Sequence, residues 1–173
     1  MMITSHPFWI LLGLLSISLG SAANAQRSDL RSDPLYTADS VVLERTLCFG
    51  TCPAYRLSVS RSGMIHFESR NPGEDGRRAK DSMPVNEFET ILVRAHLLEF
   101  LSLPDRIADD KRLCPHDVTD NPTAIITIFI PGQPKGVEDY YGCDWAPAGL
   151  RNLETYVDEV TNAKRWIRPA RRL

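Results

Sequence analysis

The sequence predicts an α+β domain in which an antiparallel sheet of about five strands carries two helices on one face. Short segments that alternate apolar and polar residues predict strands with one buried side. Two longer segments repeat apolar residues at helical spacing. Most connections between strands are short, which favours a mainly antiparallel sheet with both helices on the same face. The predicted order is strand, strand, strand, helix, strand, strand, helix.

Three strands are predicted before the first helix. Residues 41–46 can form the first strand, and residues 55–60 alternate apolar and polar side chains. Residues 61–63 supply a turn with a glycine, and residues 65–68 return as the third strand. Alternation with a period of two on both sides of a glycine turn predicts a β-hairpin, which is the clearest element of the chain.

A charged loop and a helix follow the hairpin. Residues 71–81 contain two glycines, a proline and six charges, so they predict a surface loop. Asn86 with Glu89 predicts a capping box at the start of a helix. The helix is expected to end near residues 100–103, because Pro104 disfavours helical geometry in the residue before it.

The second half of the chain predicts two more strands and a helix. Residues 105–122 are polar and irregular, whereas residues 124–130 form an apolar run rich in β-branched residues. Such a run predicts a central strand. After a turn at residues 131–134, residues 136–141 return as a further strand. Pro147 opens the last helix, because proline is favoured at the first helical position.

The amino terminus is typical of a secretory signal peptide over residues 1–25. The apolar run at residues 8–19 has the length of a signal core and is too short to span a bilayer as a helix. Ala23-Asn24-Ala25 matches the small-x-small cleavage pattern, so the mature chain is expected to begin at Gln26. An uncleaved membrane anchor is the alternative. We therefore expect a periplasmic or secreted protein with no transmembrane segment after signal cleavage.

The rest of the chain divides into three predicted parts. Residues 26–40 predict a flexible linker, residues 41–167 a single α+β domain, and residues 168–173 a basic tail. The tail could contact an anionic partner or remain solvated. A formal net charge of −2 argues against nucleic acid as a partner. We expect a monomer whose partner is an unknown envelope protein or a small ligand.

Four cysteines predict two disulfides, because an even number in an exported chain implies pairing, with three connectivities open. The spacing favours Cys48–Cys52 and Cys114–Cys143. On the loop-entropy model the long pair contributes about 3.5 kcal/mol and the short pair about 2 kcal/mol. The short pair is therefore expected to shape the turn before Tyr55 more than to hold the domain together.

Two other functions of the cysteines stay open. Cys48 and Cys52 could act in an envelope thiol-disulfide redox protein or sensor. Thioredoxin-like motifs, however, have two intervening residues and a helix start that lowers the thiol pKa, whereas Pro53 and Tyr55 lead into a strand. A zinc-binding domain could use the four cysteines with His116, although export favours oxidation of the thiols.

The sequence identifies no catalytic group. His66, His96 and His116 lie in no recognisable nucleophile turn, and the chain has neither a phosphate-cradling glycine loop nor a dinucleotide fingerprint. We therefore name no catalytic residue, no cofactor and no metal ligand. The sequence does not decide whether the protein is an enzyme, and it favours a non-catalytic one.

A candidate binding surface lies at the ends of the predicted strands. Asp139, Tyr140 and Tyr141 form an aromatic and acidic cluster at one strand end. Aromatic residues beside a rigid bridge can form a binding hot spot, although they also dominate ordinary cores. Three residues from the first half complete the candidate surface, which comprises Phe49, Tyr55, Arg56, Asp139, Tyr140 and Tyr141.

The stretch Cys48-Phe49-Gly50-Thr51-Cys52-Pro53, with Tyr55 two positions on, resembles the signature of a bacterial family catalogued as domain of unknown function 6438. The resemblance covers residues 41–167. It implies a compact α+β domain in exported proteins, and it brings no assigned activity or catalytic residue. Looser matches are Ser62-Gly63, Thr119-Asp120-Asn121-Pro122-Thr123, Tyr141-Gly142-Cys143 and Arg165-Trp166.

Taken with the signal peptide and the paired cysteines, these features predict a non-catalytic periplasmic module that binds a ligand or a protein and is stabilised by disulfides. A redox protein that uses Cys48 and Cys52 is one alternative function, and a zinc-binding domain is another.

Overall fold

The computed structural model describes residues 32–74 and 76–168. The predicted signal peptide over residues 1–25 lies outside the described residues. So do residues 26–31 of the predicted linker and residues 169–173 of the predicted basic tail. Within the described part of the chain, no helix is long and apolar enough to cross a membrane.

The described chain forms one antiparallel sheet and two α-helices. Four short 3-10 helices lie at Pro34–Thr37, Phe100–Ser102, Ile107–Asp109 and Ala163–Arg165. The strands and α-helices in chain order are β1 (Ser40–Arg45), β2 (Tyr55–Ser60), β3 (Met64–Ser69), β4 (Arg78–Ser82), α1 (Val85–Leu97), β5 (Thr123–Phe129), β6 (Lys135–Tyr140) and α2 (Ala148–Val160).

The sheet order is β4-β3-β2-β1-β5-β6, and every neighbouring pair is antiparallel. The predicted α+β class with a mainly antiparallel sheet and two helices is therefore confirmed. The predicted capping box of the first helix is wrong, since α1 follows Pro84 and has no side-chain cap. The second helix begins at Ala148, one residue after the predicted Pro147.

The sixth strand, β4, lies in the segment that the sequence predicted to be a loop. Its five residues have only Ala79 as an apolar member, and their burial alternates between exposed and intermediate. β4 pairs with β3 alone, so it forms an edge of the sheet. Edge strands commonly carry charged side chains that prevent pairing with other chains. The apolar alternation that predicts an inner strand is therefore missing here.

The last residues of the predicted linker pack on the core. Leu35 and Ala38 are fully buried. The Asp33 side chain accepts a hydrogen bond from the Leu35 backbone nitrogen at 2.8 Å and caps the 3-10 helix. Arg61 Nε donates to the Ala38 carbonyl at 2.9 Å. An apolar anchor beside a side-chain cap thus orders a segment whose overall composition is polar.

The core lies between the sheet and the two helices. Leu57 and Phe67 of the hairpin and Ile126 of β5 point to the helices, where they meet Phe88 of α1 and Val157 of α2. Each such side chain stabilises the fold by about 1.5–3 kcal/mol when it is fully buried. This burial fixes which sheet face the helices cover, and the opposite face, here called the open face, is mostly polar but also carries Val42 and Ile125.

The hairpin turn between β2 and β3 requires glycine at position 63. Gly63 has a φ of +82°, and a Cβ there would lie 2.2 Å from the Met83 carbonyl oxygen. The Met83 backbone nitrogen also donates to the Gly63 carbonyl at 2.9 Å. The close backbone approach therefore joins the hairpin turn to the segment that enters α1.

Candidate functional site

The ends of four strands, β1, β2, β5 and β6, lie side by side at one end of the sheet, which we call the disulfide end. Arg45 at the end of β1 lies opposite both Tyr55 of β2 and Ala124 of β5. Thr123 at the start of β5 lies opposite Tyr140 at the end of β6. The loops that carry the cysteines adjoin these strand ends, so the disulfides and the strand-end aromatic residues share one end of the molecule.

The first disulfide closes a short loop at the tip of this end. Cys48 and Cys52 are bridged with their Cα atoms 5.5 Å apart. The Gly50 backbone nitrogen donates to the Cys48 carbonyl at 2.8 Å inside the loop. The Phe49 side chain is 90% exposed, and its backbone nitrogen donates to the Asp120 carbonyl at 3.3 Å. The loop therefore presents an aromatic ring to solvent from a constrained backbone.

The second disulfide is buried and joins the irregular segment to the end of β6. Cys114 and Cys143 are bridged with their Cα atoms 4.9 Å apart, and both residues are fully buried. The predicted pairing is thus the one that the structure contains. A bridged sulfur is not a thiolate and cannot ligate zinc as one. The described residues contain no group of three or more His, Cys, Asp or Glu that could hold a metal ion.

A cluster of five polar residues connects α2 to the strand ends, and we call it the buried polar cluster. Arg45 Nε donates to Asp158 Oδ2 at 3.0 Å, and the Tyr55 hydroxyl donates to Asp158 Oδ1 at 2.7 Å. Arg45 Nη1 donates to the Tyr141 hydroxyl at 2.7 Å, which in turn donates to Glu154 Oε2 at 2.6 Å. The cluster therefore joins α2 to β1, β2 and the end of β6.

Two carboxyl groups in this region are fully buried. Asp139 accepts from Arg151 Nε at 3.0 Å, and Glu154 accepts from Tyr141. The other oxygen of each carboxyl has no hydrogen-bond partner among the described residues. Burial raises the pKa of Glu154 to about 7, and the nearby charge of Asp139 adds to this shift, whereas Tyr141 and the charge of Arg45 oppose it. Glu154 is therefore a group whose protonation changes near neutral pH.

The phenols of the cluster act as neutral donors. Burial raises the pKa of Tyr141 to about 12, and the charge of Glu154 acts in the same direction. Burial likewise raises the pKa of Tyr55, with a further contribution from Asp158. Tyr55 and Glu154 are closed to solvent, and Arg45 and Asp158 reach it only in part. The cluster is arranged to position α2 and the loops, and Arg45 and Tyr55 also line a surface pocket of about 470 Å³ beside it.

The open face of the sheet carries a groove of about 320 Å³ across β2, β3 and β4. The helices pack on the other side, so the side chains of this groove point away from the core. Most of them are polar or charged. The residues that matter for its chemistry are Arg56, Ser58, His66, Glu68, Arg78 and Lys80.

A family model matches residues 39–161, and it describes a domain of unknown function, DUF6438. The chain belongs to the DUF6438 family. The match extends over all six strands and both α-helices, and it confirms the resemblance that the sequence predicted. A comparison with curated proteins finds no match. The family description assigns no activity, so a function for this DUF6438 domain has to be argued from its own geometry.

The predicted surface residues of this DUF6438 domain lie in three places. Phe49 is at the exposed tip of the first disulfide loop. Tyr55 and Tyr141 belong to the buried polar cluster, and Asp139 is fully buried beside it. The structure thus places three of the six residues on the side of the sheet that the helices cover.

The remaining two predicted residues, Arg56 and Tyr140, lie on the open face. Arg56 lines the groove. The Tyr140 hydroxyl donates to the Val118 carbonyl at 2.7 Å, so this ring braces the loop before β5. Because side chains alternate between the two faces of a strand, neighbours in the sequence such as Tyr140 and Tyr141 separate. The six residues do not form one continuous surface.

Sequence reasoning missed several residues of the disulfide end. Leu47, Val118 and Trp145 are exposed apolar residues in the loops of the disulfide end, and no periodic pattern marks them because they lie outside regular elements. For Glu154 the sequence does carry a signal. It lies one residue after Leu153 on the apolar face of α2, so its spacing places it towards the core.

Proposed function

We propose that this DUF6438 domain is a non-catalytic, exported binding module that docks a periplasmic protein through the loops at its disulfide end. One observation carries the proposal: the Phe49 ring is 90% exposed on a loop that the Cys48–Cys52 bridge closes. Aromatic residues are enriched among binding hot spots. A constrained loop loses little conformational entropy on binding, so more of the contact energy contributes to affinity.

Further exposed apolar residues lie in the loops at this end of the molecule. Leu47 is 44% exposed, Val118 is 59% exposed and Trp145 is 66% exposed. Their loops are joined by hydrogen bonds from Phe49 to the Asp120 carbonyl and from the Val118 nitrogen to the Gly142 carbonyl at 3.0 Å. Neighbouring exposed apolar residues with a polar rim are typical of protein interaction sites. We call these four apolar residues and their loops the docking surface.

The charges beside the docking surface favour a basic partner. Asp117, Asp120 and Asp144 are exposed on the same loops. Within residues 32–74 and 76–168, none of these three carboxylates forms an ion pair. Complementary charge steers association and selects partners. The proposed occupant is therefore an envelope protein that presents an apolar groove with Lys or Arg at its rim.

Two features support location in an oxidising compartment. The sequence predicts a signal peptide over residues 1–25. All four cysteines are paired in disulfides in the structure, and such pairs persist in exported proteins.

Photo-crosslinking in intact cells tests the docking surface. Benzoylphenylalanine replaces Phe49 in the full chain, and in a matched control it replaces Phe129, which is 37% exposed at the opposite end of β5. We expect a single adduct of defined mass in the envelope fraction from position 49 and none from position 129. Mass spectrometry of the adduct should identify a protein whose crosslinked site adjoins Lys or Arg.

A second variant tests the role of charge. This variant carries the photoreactive residue at position 49 together with Asp120→Asn and Asp144→Asn. The yield of the crosslinked adduct should fall severalfold, because two charges of the acidic rim are lost. Equal adducts from positions 49 and 129, or no adduct from either, would contradict docking at this surface. An unchanged yield in the Asn variant would contradict a basic partner.

A redox function is the second candidate, and one observation favours it. Cys48 and Cys52 are half-buried, whereas Cys114 and Cys143 are closed to solvent, so a reductant can reach only the short bridge. To test this role, the protein is incubated in a glutathione buffer at about −200 mV, the redox potential of an oxidising compartment. Free thiols are then alkylated and identified by mass spectrometry. Selective reduction of the short bridge would favour a redox protein. Two intact bridges would contradict it.

A further inference from the structure

We infer that the groove on the open face binds a phosphate group, either free or carried by a larger molecule. The inference goes beyond the proposed docking at Phe49, because it uses side chains of β2, β3 and β4 and none of the docking surface. It concerns a second site with a different ligand chemistry. The two proposals can therefore fail separately.

The strand register places three different donors side by side in the groove. Ser58 of β2 lies opposite His66 of β3, and His66 lies opposite Lys80 of β4. Directly opposed residues in antiparallel strands have Cβ atoms about 4.5–5.5 Å apart. A hydroxyl, an imidazole and an ammonium group therefore form one row on the open face. Each of them can donate a hydrogen bond to an oxyanion.

The neighbouring row supplies a guanidinium with an unused donor. Arg56 Nη1 is buried and has no hydrogen-bond partner among the described residues. Its ion-pair contact with Glu44 Oε1 is 4.0 Å long, which is too long for a hydrogen bond. A buried donor without an acceptor is costly, and a ligand oxygen in the groove would supply the acceptor. Guanidinium groups are well suited to phosphate oxygens because their donors form a fixed fork.

One carboxylate, Glu68, lies in the same row and would repel an anion if it were unpaired. It is flanked by Arg70 at 3.9 Å and by Arg78 at 3.7 Å. Lys80 makes no ion pair with the described residues and keeps its charge available. The cationic side chains around the groove outnumber the carboxylates by two. The cations are Arg56, Arg70, Arg78 and Lys80, and the carboxylates are Glu44 and Glu68.

The alternative is a solvated sheet face on which opposite charges neutralise one another. That arrangement accounts for Glu68 with Arg70 and Arg78. Among the described residues it leaves Lys80 without an ion pair and one nitrogen of Arg56 without a hydrogen bond, on two strands that border the same groove. A volume of about 320 Å³ accommodates a single phosphate group with its substituent. A tetrahedral oxyanion can accept hydrogen bonds from several directions, so it fits donors that converge from three strands.

Titration of the full-length mature protein with inorganic phosphate tests the site. Amide chemical shifts are followed by NMR. The ionic strength is held constant by exchanging chloride for phosphate, so that electrostatic screening does not change during the titration. We expect saturable shifts that are confined to β2, β3 and β4. In the variant Arg56→Gln with Lys80→Gln, the affinity should fall at least about tenfold, the loss expected for two charged hydrogen bonds.

The matched control removes the same charge elsewhere. Arg106→Gln with Lys111→Gln changes two exposed cations outside the groove, so the affinity for phosphate should change less than about twofold if site geometry matters more than net charge. Thermal unfolding of both variants verifies that they remain folded. A control variant that loses as much affinity as the groove variant would overturn the inference.

Vesicles distinguish the source of the phosphate. One set contains phosphatidylglycerol in phosphatidylcholine, and the other contains phosphatidylcholine alone. Binding of inorganic phosphate that depends on Arg56 and Lys80 supports a free ligand. Binding only to phosphatidylglycerol vesicles, with the same dependence, supports a lipid headgroup. No binding in either experiment, or binding that the groove variant retains, overturns the site.

Discussion

Arg45 on β1 holds Asp158 on α2 with two guanidinium nitrogens, since Nε lies 3.0 Å and Nη2 lies 2.9 Å from the same oxygen, Oδ2. The Tyr55 hydroxyl donates a hydrogen bond to the other carboxylate oxygen of Asp158, Oδ1. Arg45 and Tyr55 flank the loop that carries the first disulfide. One carboxylate of α2 therefore holds both ends of the loop that presents Phe49, and the buried polar cluster links the helix to the docking surface.

Removal of the Arg45 charge should destabilise the fold. Arg45→Met leaves the carboxylate of Asp158 without its cation, and removal of one partner of a buried pair costs about 3–5 kcal/mol. Because both side chains are partly exposed, we expect a loss of about 3 kcal/mol in the free energy of unfolding in urea. The exposed control Arg106→Met should cost less than about 1 kcal/mol. Equal small losses in both variants would contradict a structural role for the cluster.

The stability should depend on the protonation of Glu154. Its pKa is raised from 4.5 to about 7 in the folded state, so the folded protein retains a proton that the unfolded chain releases between these values. The stabilisation is complete below pH 4.5 and is lost as the pH rises through 7. At about 1.36 kcal/mol per pKa unit, the loss is on the order of 3 kcal/mol.

Glu154→Gln isolates this contribution, because the amide keeps the shape of the side chain and does not titrate. Urea unfolding at pH 5 and at pH 8 should show a larger decrease for the wild type than for the variant. Titration of other groups, such as Asp158, whose pKa burial also raises, affects both proteins alike. An identical pH dependence in both would show that Glu154 is ionised throughout.

A methyl group at position 63 should destabilise the hairpin. Gly63→Ala combines a positive φ with a Cβ that would lie 2.2 Å from the Met83 carbonyl oxygen. The backbone conformation costs about 1–2 kcal/mol, and overpacking adds about 1–3 kcal/mol. Gly132→Ala is the control, because Gly132 also has a positive φ, +79°, and a Cβ there would have no neighbour among the described residues within 4 Å. Thermal unfolding should rank Gly63→Ala as clearly the more damaging change, and similar melting temperatures would contradict the close approach.

The two disulfides should differ in their effect on stability. Cys114 and Cys143 are 29 positions apart in the sequence, whereas Cys48 and Cys52 are 4 positions apart. Loop entropy therefore predicts losses of about 3.5 and 2 kcal/mol when each pair is replaced by Ala. Urea unfolding of the two double variants measures the difference. A larger loss from the short pair would mean that the first loop holds the fold together, contrary to its assignment as a presenting loop.

Much of the fold could be predicted from the sequence, because burial imposes visible periods. The β2–β3 hairpin alternates strictly, with Leu57 and Phe67 on the buried side, and the disulfide pairing followed from spacing. β4 could not be predicted, since an edge strand with one small apolar residue lacks that alternation. The packed segment at Leu35 depends on a single anchor, which no period marks.

The candidate site was predicted less well, for a different reason. Tyr55 and Tyr141 were recognised as notable, but sequence patterns do not show that Asp158 of α2 receives a hydrogen bond from a strand 103 positions away. Polar partners across long separations are set by topology and leave no local signature. Exposed apolar residues in loops, such as Trp145, also follow no period. The buried polar cluster and the grouping of exposed apolar residues at the disulfide end therefore became apparent only in three dimensions.

The central claim, an exported domain whose loops are set by disulfides, is tested most directly by peptide mapping of the protein released from the periplasm. Free thiols are alkylated at the moment of release, and the fragments are then identified by mass spectrometry without reduction. We predict an amino terminus at Gln26 and two linked fragment pairs, Cys48 with Cys52 and Cys114 with Cys143. Protein found only in the cytoplasm, with Met1 retained and four alkylated cysteines, would contradict the account.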